Sequence, residues 1–407
     1  MVGIAILGYG VVGSGVYEVI RTNAQSITRR CGTEIDIKHI LDIRDFDNHT
    51  EKHLFTKNFD DILTDPDTHI IAEVMGGTNP AYDFTKKALM AKKSVVTSNK
   101  ELVAKHGCEL LDIAAKMGVQ YLFEASVGGG IPIIRPLRNC LAANEIDEIT
   151  GILNGTTNYI LTQMINENKS FEDALKEAQE KGYAEKDPTA DVEGIDAVRK
   201  IAILSSLALG KYVDCEKIPV CGITKLSLLD ATYAKKLGCV IKLCGRCKKV
   251  DDDKYDIFVS PMMIDKSHPI ANVEDVFNAI VVNGNAVGET MFYGRGAGKL
   301  PTASAVVADV IDIVKTPSRN EPLCWIKTEK DILLEWEKSS SKRFVRVETS
   351  NKEKTKDNIK NVFNTQEFID IENNEIGFIT ENITNKEFDN KKLQLEDKII
   401  STILVLS

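Results

Sequence analysis

The chain lacks an excess of basic residues: its 407 residues carry a formal net charge of −9 at pH 7. Nucleic acids and anionic membranes attract proteins through clustered Lys and Arg, so we expect neither as a partner. The N-terminal stretch MVGIAILGYGVVGSGVYEVI has no basic leader, and glycines interrupt its apolar run. Such a stretch is typical of neither a signal peptide nor a membrane span. The sequence therefore predicts a cytoplasmic protein that acts on small molecules.

The sequence also lacks a cysteine framework and a histidine cluster. Its nine cysteines are scattered, and their odd number fits free thiols in a reducing compartment. Cys244 and Cys247 form a single CxxC motif near Cys239, but no second CxxC or nearby histidine completes a tetrahedral site, so we do not expect a metal there. The six histidines form no HxxxH motif. A histidine-dependent hydride transfer therefore has little support.

What the chain does contain is a dinucleotide fingerprint at its start. Residues 2–7 form a short apolar strand, and a GxGxxG motif precedes a helix-like segment. In this strand, turn and helix context the glycines allow a tight turn and a close approach of the pyrophosphate to the first amides of the helix. The residues predicted to bind the cofactor here are Gly8, Gly10, Val11, Val12 and Gly13. A glycine-rich turn without a ligand is the alternative.

The second strand points to the type of cofactor but leaves the choice open. EIDIKHIL ends near Asp42, whose carboxylate could accept a hydrogen bond from the adenosine ribose and favour NAD. Arg44 could instead bind the 2′-phosphate of NADP. The sequence therefore predicts NAD or NADP without deciding between them.

Further strands end in residues that suit a ligand site. IIAEVMGG is followed by Gly77 and Thr78, and SVVTSNK ends in Lys100. Open parallel sheets bind ligands at the carboxyl ends of their strands. We therefore expect Gly77, Thr78 and Lys100 to contribute to the cofactor site.

The stretch 182–200, GYAEKDPTADVEGIDAVRK, combines acidic residues with a lysine and continues into an apolar helix. Asp196 and Lys200 are four residues apart, so on a helix their side chains lie on one face. Apolar neighbours would lower the pKa of a buried lysine toward working pH. By spacing alone a solvent-facing ion pair is the alternative, because most such pairs are exposed.

Several longer motifs follow the fingerprint in a fixed order: TSNK, EASVGGGIPII, NGTTNYIL, GYAEKDPTADVEGID and GRGAGKLPTASAVVAD. With them, residues 1 to about 315 closely resemble the homoserine dehydrogenase family. The resemblance implies NAD(P)-dependent interconversion of aspartate 4-semialdehyde and homoserine, on the route to threonine, methionine and isoleucine. A nucleotide-dependent sensor without turnover and a dehydrogenase of another small amino acid are the alternatives.

The resemblance also implies roles for individual residues. Lys200 matches the catalytic acid/base, Asp196 the carboxylate that holds the substrate hydroxyl and orients the lysine, and Lys100 a second active-site lysine at the nicotinamide edge. Which of the two lysines transfers the proton stays open. The residues implied to bind the substrate are Glu185, Asp191, Thr156 and Asn158, and Gly298 belongs to a return segment that contacts the cofactor. A solvated acidic loop is the alternative for the two carboxylates.

The resemblance implies a monovalent cation site in the glycine-rich turn of VQYLFEASVGGG. Glu124, Val127, Gly129 and Ile131 match positions where the family binds a cation such as sodium, largely through backbone carbonyls. Oxygen ligands from a glycine-rich turn suit a hard, weakly bound ion. Without the resemblance, the segment would be interpreted as a tight turn between a strand and a helix.

The predicted fold is α/β, with several domains, because a chain of this length exceeds one ordinary core. We expect an NAD(P)-binding Rossmann domain at 1–130 with a return helix at 301–315, an α+β substrate and dimerisation domain at 131–300, a linker at 316–341 and a C-terminal α+β unit at 342–407. The resemblance implies a homodimer or a homotetramer.

The C-terminal unit has a βαββαβ pattern that resembles a reduced ACT domain. In the family's effector-binding version, an acidic residue, Pro and Gly follow the first strand; here Glu348-Thr349-Ser350-Asn351-Lys352 contains neither Pro nor Gly. We therefore expect a role in packing or oligomerisation in place of threonine binding.

Overall fold

The computed structural model describes residues 1–317, 325–371 and 374–406. The strands are β1 (Val2–Leu7), β2 (Ile35–Leu41), β3 (Phe55–Thr56), β4 (Thr68–Glu73), β5 (Ser94–Thr97), β6 (Tyr121–Leu122), β7 (Ile146–Ile152), β8 (Cys239–Lys249), β9 (Tyr255–Asp265), β10 (Phe277–Gly284), β11 (Gly288–Arg295), β12 (Ser340–Glu348), β13 (Phe368–Asp370), β14 (Glu375–Ile379), β15 (Ile383–Thr384) and β16 (Ile399–Val405).

The α-helices are α1 (Val11–Thr22), α2 (Ala24–Cys31), α3 (Phe59–Thr64), α4 (Ala81–Met90), α5 (Lys100–Met117), α6 (Gly155–Asn166), α7 (Phe171–Glu180), α8 (Thr189–Val192), α9 (Ile195–Leu209), α10 (Leu228–Lys236), α11 (Lys299–Lys315), α12 (Lys352–Phe363) and α13 (Asn385–Lys392). A 3-10 turn at Glu124–Ser126 and a π-helical turn at Pro136–Cys140 lie between β6 and β7. None of the helices described is long and apolar enough to cross a membrane.

The chain divides into two compact units. The first unit comprises Met1–Ile146, Ala202–Glu216 and Gly284–Asp331. The second unit comprises Asp147–Ile201, Lys217–Asn283 and Ile332–Ser407.

The first unit is built on a parallel sheet with strand order β3-β2-β1-β4-β5-β6. Its strands are nearly continuous apolar runs, as expected where helices cover both faces, and Ile4 and Ile6 of β1 are fully buried. The helix α11 belongs to the same core as α1, through Val306 and Val310 beside Val16. This order is that of a doubly wound dinucleotide-binding sheet, so the predicted α/β class is confirmed.

The second unit contains a sheet in which the strands follow the order β10-β7-β8-β9-β16-β12-β14-β13, with β15 paired to β12. Its centre is the long antiparallel pair of β8 and β9, which are paired from Cys239 opposite Asp265 to Lys249 opposite Tyr255. β16 is parallel to β9 and antiparallel to β12. One sheet therefore runs from the middle of the chain into its C-terminal strands.

The C-terminal segment has the connectivity β12-α12-β13-β14-α13-β16, with the short β15 added before α13. This is a βαββαβ unit, and its order β16-β12-β14-β13 is that of a ferredoxin-like sheet. The first strand begins at Ser340, two residues before the predicted boundary. Part of the predicted linker, 318–324, lies outside the described residues.

Candidate active site

The phosphate-binding turn is shaped by its glycines. Gly8 has a φ of +95°, which side chains rarely adopt. A Cβ on Gly13 would lie 1.9 Å from the carbonyl oxygen of Gly8, whereas one on Gly10 would meet nothing within 4 Å. α1 begins at Val11, and the first amides of a helix lack partners within the helix. The turn therefore leaves open space beside amides that can bind a pyrophosphate.

Asp42 and Arg44, which follow β2, form an ion pair with each other. The Asp42 carboxylate accepts from the Tyr9 amide at 2.8 Å and from Arg44 Nε and Nη2, both at 2.9 Å. Arg44 holds the pKa of Asp42 well below its usual range. The Asp42 side chain is only 8% exposed, but that of Arg44 is 57% exposed. The group that this corner of the site presents to solvent is thus a guanidinium.

A buried glutamate organises the carboxyl ends of β4 and β5. Glu73, the last residue of β4, accepts from the Met75 amide at 2.9 Å and from the Thr97 hydroxyl at 2.6 Å. Burial raises the pKa of Glu73. Sequence reasoning missed this residue, although an acidic side chain at the end of the apolar strand THIIAE was a signal of it.

The same network positions the turn that carries Lys100. Thr97 Oγ1 accepts from the Asn99 amide at 2.9 Å, and Asn99 caps α5 by accepting from the Leu102 amide at 3.1 Å. Asn99 also donates to the Gly77 carbonyl at 2.6 Å. The structure therefore brings Gly77 and Lys100, the first residue of α5, to one edge of the sheet.

Asp196 and Lys200 lie in the first turns of α9 and are both buried, at 4% and 7% exposure. Lys200 Nζ donates to Asp196 Oδ2 and to the Leu153 carbonyl oxygen, each at 2.7 Å. The pair is therefore not the solvent-facing ion pair that spacing alone would favour.

Asn154 joins this pair to a second carboxylate. Its Nδ2 donates to Asp196 Oδ2 at 2.9 Å and to Asp191 Oδ1 at 2.6 Å, while its Oδ1 caps α6 by accepting from the Thr157 amide. Sequence reasoning did not single out Asn154, although it opens the motif NGTTNYIL and has the residue type of a helix cap. Asp191, Asp196 and Lys200 thus form one hydrogen-bonded group.

The other predicted substrate residues are distributed differently. Thr156 donates its hydroxyl to the Tyr183 carbonyl at 2.7 Å, and Glu185 lies exposed on the loop before α8. Asn158 is buried elsewhere: its amide donates to the Val273 and Phe277 carbonyls and accepts from Lys242 Nζ at 3.0 Å. The structure thus gives Asn158 a place in the core beside a buried lysine, Lys242.

The predicted cation turn has its carboxylate already engaged. Glu124 accepts from the backbone amides of Ile133 and Ile134 at 2.7 and 2.9 Å and from that of Arg135 at 2.7 Å. These three amides occupy most of the roughly four acceptor positions of the carboxylate. A cation would therefore depend mainly on backbone carbonyls.

The carbonyls of the turn fit that requirement. Within the described parts of the chain, no hydrogen bond uses the carbonyl oxygens of Val127, Gly129 or Ile131. Gly129 has a φ of +56°, and a Cβ on it would lie 2.3 Å from the Gly296 carbonyl oxygen. The return segment before α11, to which Gly298 belongs, therefore packs directly on this turn.

Comparison with known proteins matches both parts of the chain. A family model described as homoserine dehydrogenase, NAD binding domain, matches residues 8–124, and one described as homoserine dehydrogenase matches residues 132–311. A homoserine dehydrogenase of Bacillus subtilis (strain 168) is 43% identical over 316 residues, which cover 77% of this chain and 72% of that protein. One from Neisseria gonorrhoeae is 45% identical over 316 residues, with the same two coverages.

Solved structures give the same result. A homoserine dehydrogenase from Thiobacillus denitrificans superposes with a TM-score of 0.93 at 36% identity and covers 100% of this chain and 98% of its own. A hyperthermophilic archaeal homoserine dehydrogenase mutant in complex with NADPH superposes with a TM-score of 0.67 at 30% identity, covering 78% of this chain and 99% of its own.

Proposed function

This chain belongs to the homoserine dehydrogenase family, and from that premise we propose that it interconverts L-aspartate 4-semialdehyde and L-homoserine with a nicotinamide cofactor. The reaction would supply threonine, methionine and isoleucine synthesis in the cytoplasm. The observation that carries the proposal is the buried contact of 2.7 Å between Lys200 and Asp196. A buried ammonium beside a carboxylate suits general acid/base chemistry at an alcohol or aldehyde oxygen.

Lys200, held by Asp196 and Leu153, is proposed to transfer the proton. When bound, the nicotinamide ring supplies a hydride to the aldehyde carbon or accepts one from the alcohol carbon. In the reducing direction Lys200 gives a proton to the aldehyde oxygen, which becomes the homoserine hydroxyl; in the oxidising direction neutral Lys200 takes that proton back. Asp196 and the Leu153 carbonyl hold the ammonium in place through two hydrogen bonds.

Lys100 supplies a second positive charge. As charge develops on the substrate oxygen, a lysine at the strand edge stabilises it electrostatically. The network from Glu73 through Asn99 supports this role because it holds the first turn of α5 in place. We assign proton transfer to Lys200 and charge stabilisation to Lys100.

The amino group of the substrate needs anionic partners. Asp191, held by Asn154, and the exposed Glu185 are the carboxylates proposed to bind it. Thr156 is proposed to contribute at the start of α6. Asn158 is left out, because its amide is bonded within the core.

We also infer a preference for NADP over NAD. The Asp42 oxygens accept from Arg44 and Tyr9, so they are poorly placed to receive a ribose hydroxyl, whereas the exposed Arg44 suits a 2′-phosphate.

A monovalent cation held by the carbonyls of Val127, Gly129 and Ile131 is proposed as a structural component. Replacing sodium chloride by choline chloride should lower the thermal unfolding temperature, and an unchanged temperature would remove the cation from the proposal.

The direct test is an absorbance assay of the purified protein with homoserine and either NAD+ or NADP+. We expect reduced nicotinamide to form with both and more efficiently with NADP+. No signal with either cofactor from folded protein would contradict the proposed reaction, and a signal with another amino acid alone would identify a different substrate.

The first variant to compare is Lys200→Ala. Removing a general acid should lower kcat by about 10²–10⁴-fold, with cofactor affinity nearly unchanged. Lys116→Ala is a matched control, since Lys116 forms an ion pair with Asp112 at the same spacing and at 2.6 Å, but on the surface. Equal kcat values in the two variants would remove Lys200 from the mechanism.

A second pair of variants tests cofactor choice. Arg44→Gln should raise the KM for NADP+ about 10–100-fold, because it removes a charge-assisted contact to the 2′-phosphate, and should leave the KM for NAD+ unchanged or lower. Lys57→Gln, at another exposed cation near the same loop, is the control. If Arg44→Gln affects both cofactors equally, Arg44 has no role in discrimination.

A further inference from the structure

The second unit contains a cavity of about 300 Å³ that lies outside the group around Lys200. It occurs where two neighbouring strands diverge. β16 pairs with β9 at Leu404, opposite Met262. Closer to the start of β9, Val259 exchanges hydrogen bonds with Pro219 and Cys221 instead. The cavity occupies the gap between this segment and β16.

The lining of the cavity changes from mouth to interior. Val220, Cys221 and Trp336 are exposed and form its mouth. The hydroxyl-bearing Ser260 and Thr402 lie along its walls. None of the lining residues is acidic, and Arg343 is the charged residue among them.

Arg343 is a buried cation, with an exposure of 5%. Its guanidinium donates to Asn385 Oδ1 and to the Ser341 carbonyl, and it lies 4.7 Å from the centre of the Phe388 ring. Within the residues that the structure describes, it forms no ion pair with Asp or Glu. Burial lowers the pKa of Arg343 by more than the charge of Asp389 raises it.

A second arginine of β12, Arg346, differs from Arg343 because acidic side chains neutralise its charge. Arg346 is equally buried, but it forms ion pairs with Asp230 at 2.7 Å and with Glu375 at 2.8 Å. Buried charges are normally paired, because desolvating an unpaired charge is costly. Arg343 therefore has the burial of a paired arginine without the carboxylate.

We propose that this cavity binds a small organic anion, a carboxylate or phosphate with a short apolar part, whose charge pairs with Arg343 and whose apolar part lies against Trp336. The volume is at the small end of the range of about 300–1,000 Å³ for ligand pockets. The site is distinct from the turn at 348–352, because five residues of β12, or about 17 Å, separate Arg343 from Glu348.

The chain carries its own reporter for occupancy. Cys221 lies at the mouth of the cavity, and Cys140 is an exposed thiol of the first unit. Alkylation of both by iodoacetamide can be followed by peptide mass spectrometry on the full chain, in potassium chloride, phosphate, acetate or butyrate at equal ionic strength. We expect phosphate or butyrate to slow alkylation of Cys221 at least about 5-fold, without a change at Cys140.

The outcomes separate the ligand classes. Protection by butyrate beyond that by acetate supports the apolar contact with Trp336, and protection by phosphate supports pairing with Arg343. If none of the anions slows Cys221 relative to Cys140, the proposal is overturned. Because no step depends on dehydrogenase activity, this result is independent of the proposed reaction.

Two variants test the arginine and the aromatic ring. Arg343→Gln should abolish the protection, whereas Lys342→Gln, at the adjacent exposed position, should keep it. If Arg343→Gln does not fold, Trp336→Ala retains the charge and should weaken protection by butyrate more than by phosphate. Undiminished protection in folded Arg343→Gln, or in Trp336→Ala for butyrate, would contradict the assignment.

Discussion

At the residue scale, Asn154 determines how the two carboxylates and the lysine are held. Its amide nitrogen donates to Asp191 and Asp196, so it keeps two like charges in one hydrogen-bonded group, and its oxygen caps α6. Without a donor between them, two neighbouring carboxylates would repel each other, and one of them would take up a proton. Asn154 is thus a positioning residue for the acid/base group.

Substitution of Asn154 should separate these functions. Asn154→Ser keeps an oxygen for the cap but loses the amide group whose two N–H donors reach both carboxylates, and we expect kcat to fall about 10-fold. Asn154→Asp also keeps the cap but places a third carboxylate beside the other two, so kcat should fall further and recover partly at lower pH. The measurement is kcat against pH; identical pH profiles for both variants would contradict this role.

At the scale of elements, α11 is tied to the turn after β6 by a buried acid. Asp309 accepts from the Glu124 amide at 2.8 Å and from Arg135 Nη2 at 2.5 Å. Burial and the charge of Glu124 raise the pKa of Asp309 to about 7, against the opposing effect of Arg135. The contact therefore makes the attachment of α11 sensitive to pH near neutrality.

The sign of this effect follows from proton binding. An acid with a pKa near 7 when folded and about 4 when unfolded binds more protons in the folded chain, so the free energy of unfolding falls as pH rises between these values. From pH 5.5 to 8 the wild type should lose about 2 kcal/mol relative to Asp309→Asn. Urea unfolding of both proteins at the two pH values measures this, and a constant difference would show that Asp309 does not titrate there.

Features set by a local motif were predictable from the sequence, whereas contacts between distant segments were not. The turn with Gly8, Gly10 and Gly13 was predictable because its signals are local, and so was the shared face of Asp196 and Lys200. Asn154 was not, because it meets Asp196 from 42 residues away, through folding of the chain. Asn158 was predicted at the pocket from its motif, but tertiary packing against the strand of Lys242 places it in the core.

At the scale of the whole molecule, the C-terminal strands are part of the second unit's sheet. β16 pairs with β9, Arg346 of β12 pairs with Asp230 of α10, and Ser339 donates to Asp256 at 2.8 Å. Such pairings between distant segments have no local sequence signal. Sequence patterns therefore predicted the βαββαβ order, but not that these strands continue the sheet that contains β8 and β9.

Because the C-terminal strands belong to this sheet, their removal should lower the stability of the protein. A chain that ends at Lys338 would expose the edge of β9 and remove Arg346, the ion-pair partner of Asp230. We expect the melting temperature to fall by about 10 °C or more, or the protein to aggregate. Thermal unfolding and size-exclusion chromatography measure the outcome; a soluble truncated protein with an unchanged melting temperature would show that the C-terminal strands are dispensable for stability.

The position of β16 between β9 and β12 also has a consequence for biosynthesis. About 130 residues separate the end of β9 at Asp265 from the start of β16 at Ile399, and a ribosome adding about 5–20 residues per second needs on the order of 10 s to make them. During that interval the part of β9 that pairs with β16, at Met262 and Met263, lacks its partner strand. We therefore expect this short edge to be a place where a nascent chain can pair with a neighbouring polypeptide.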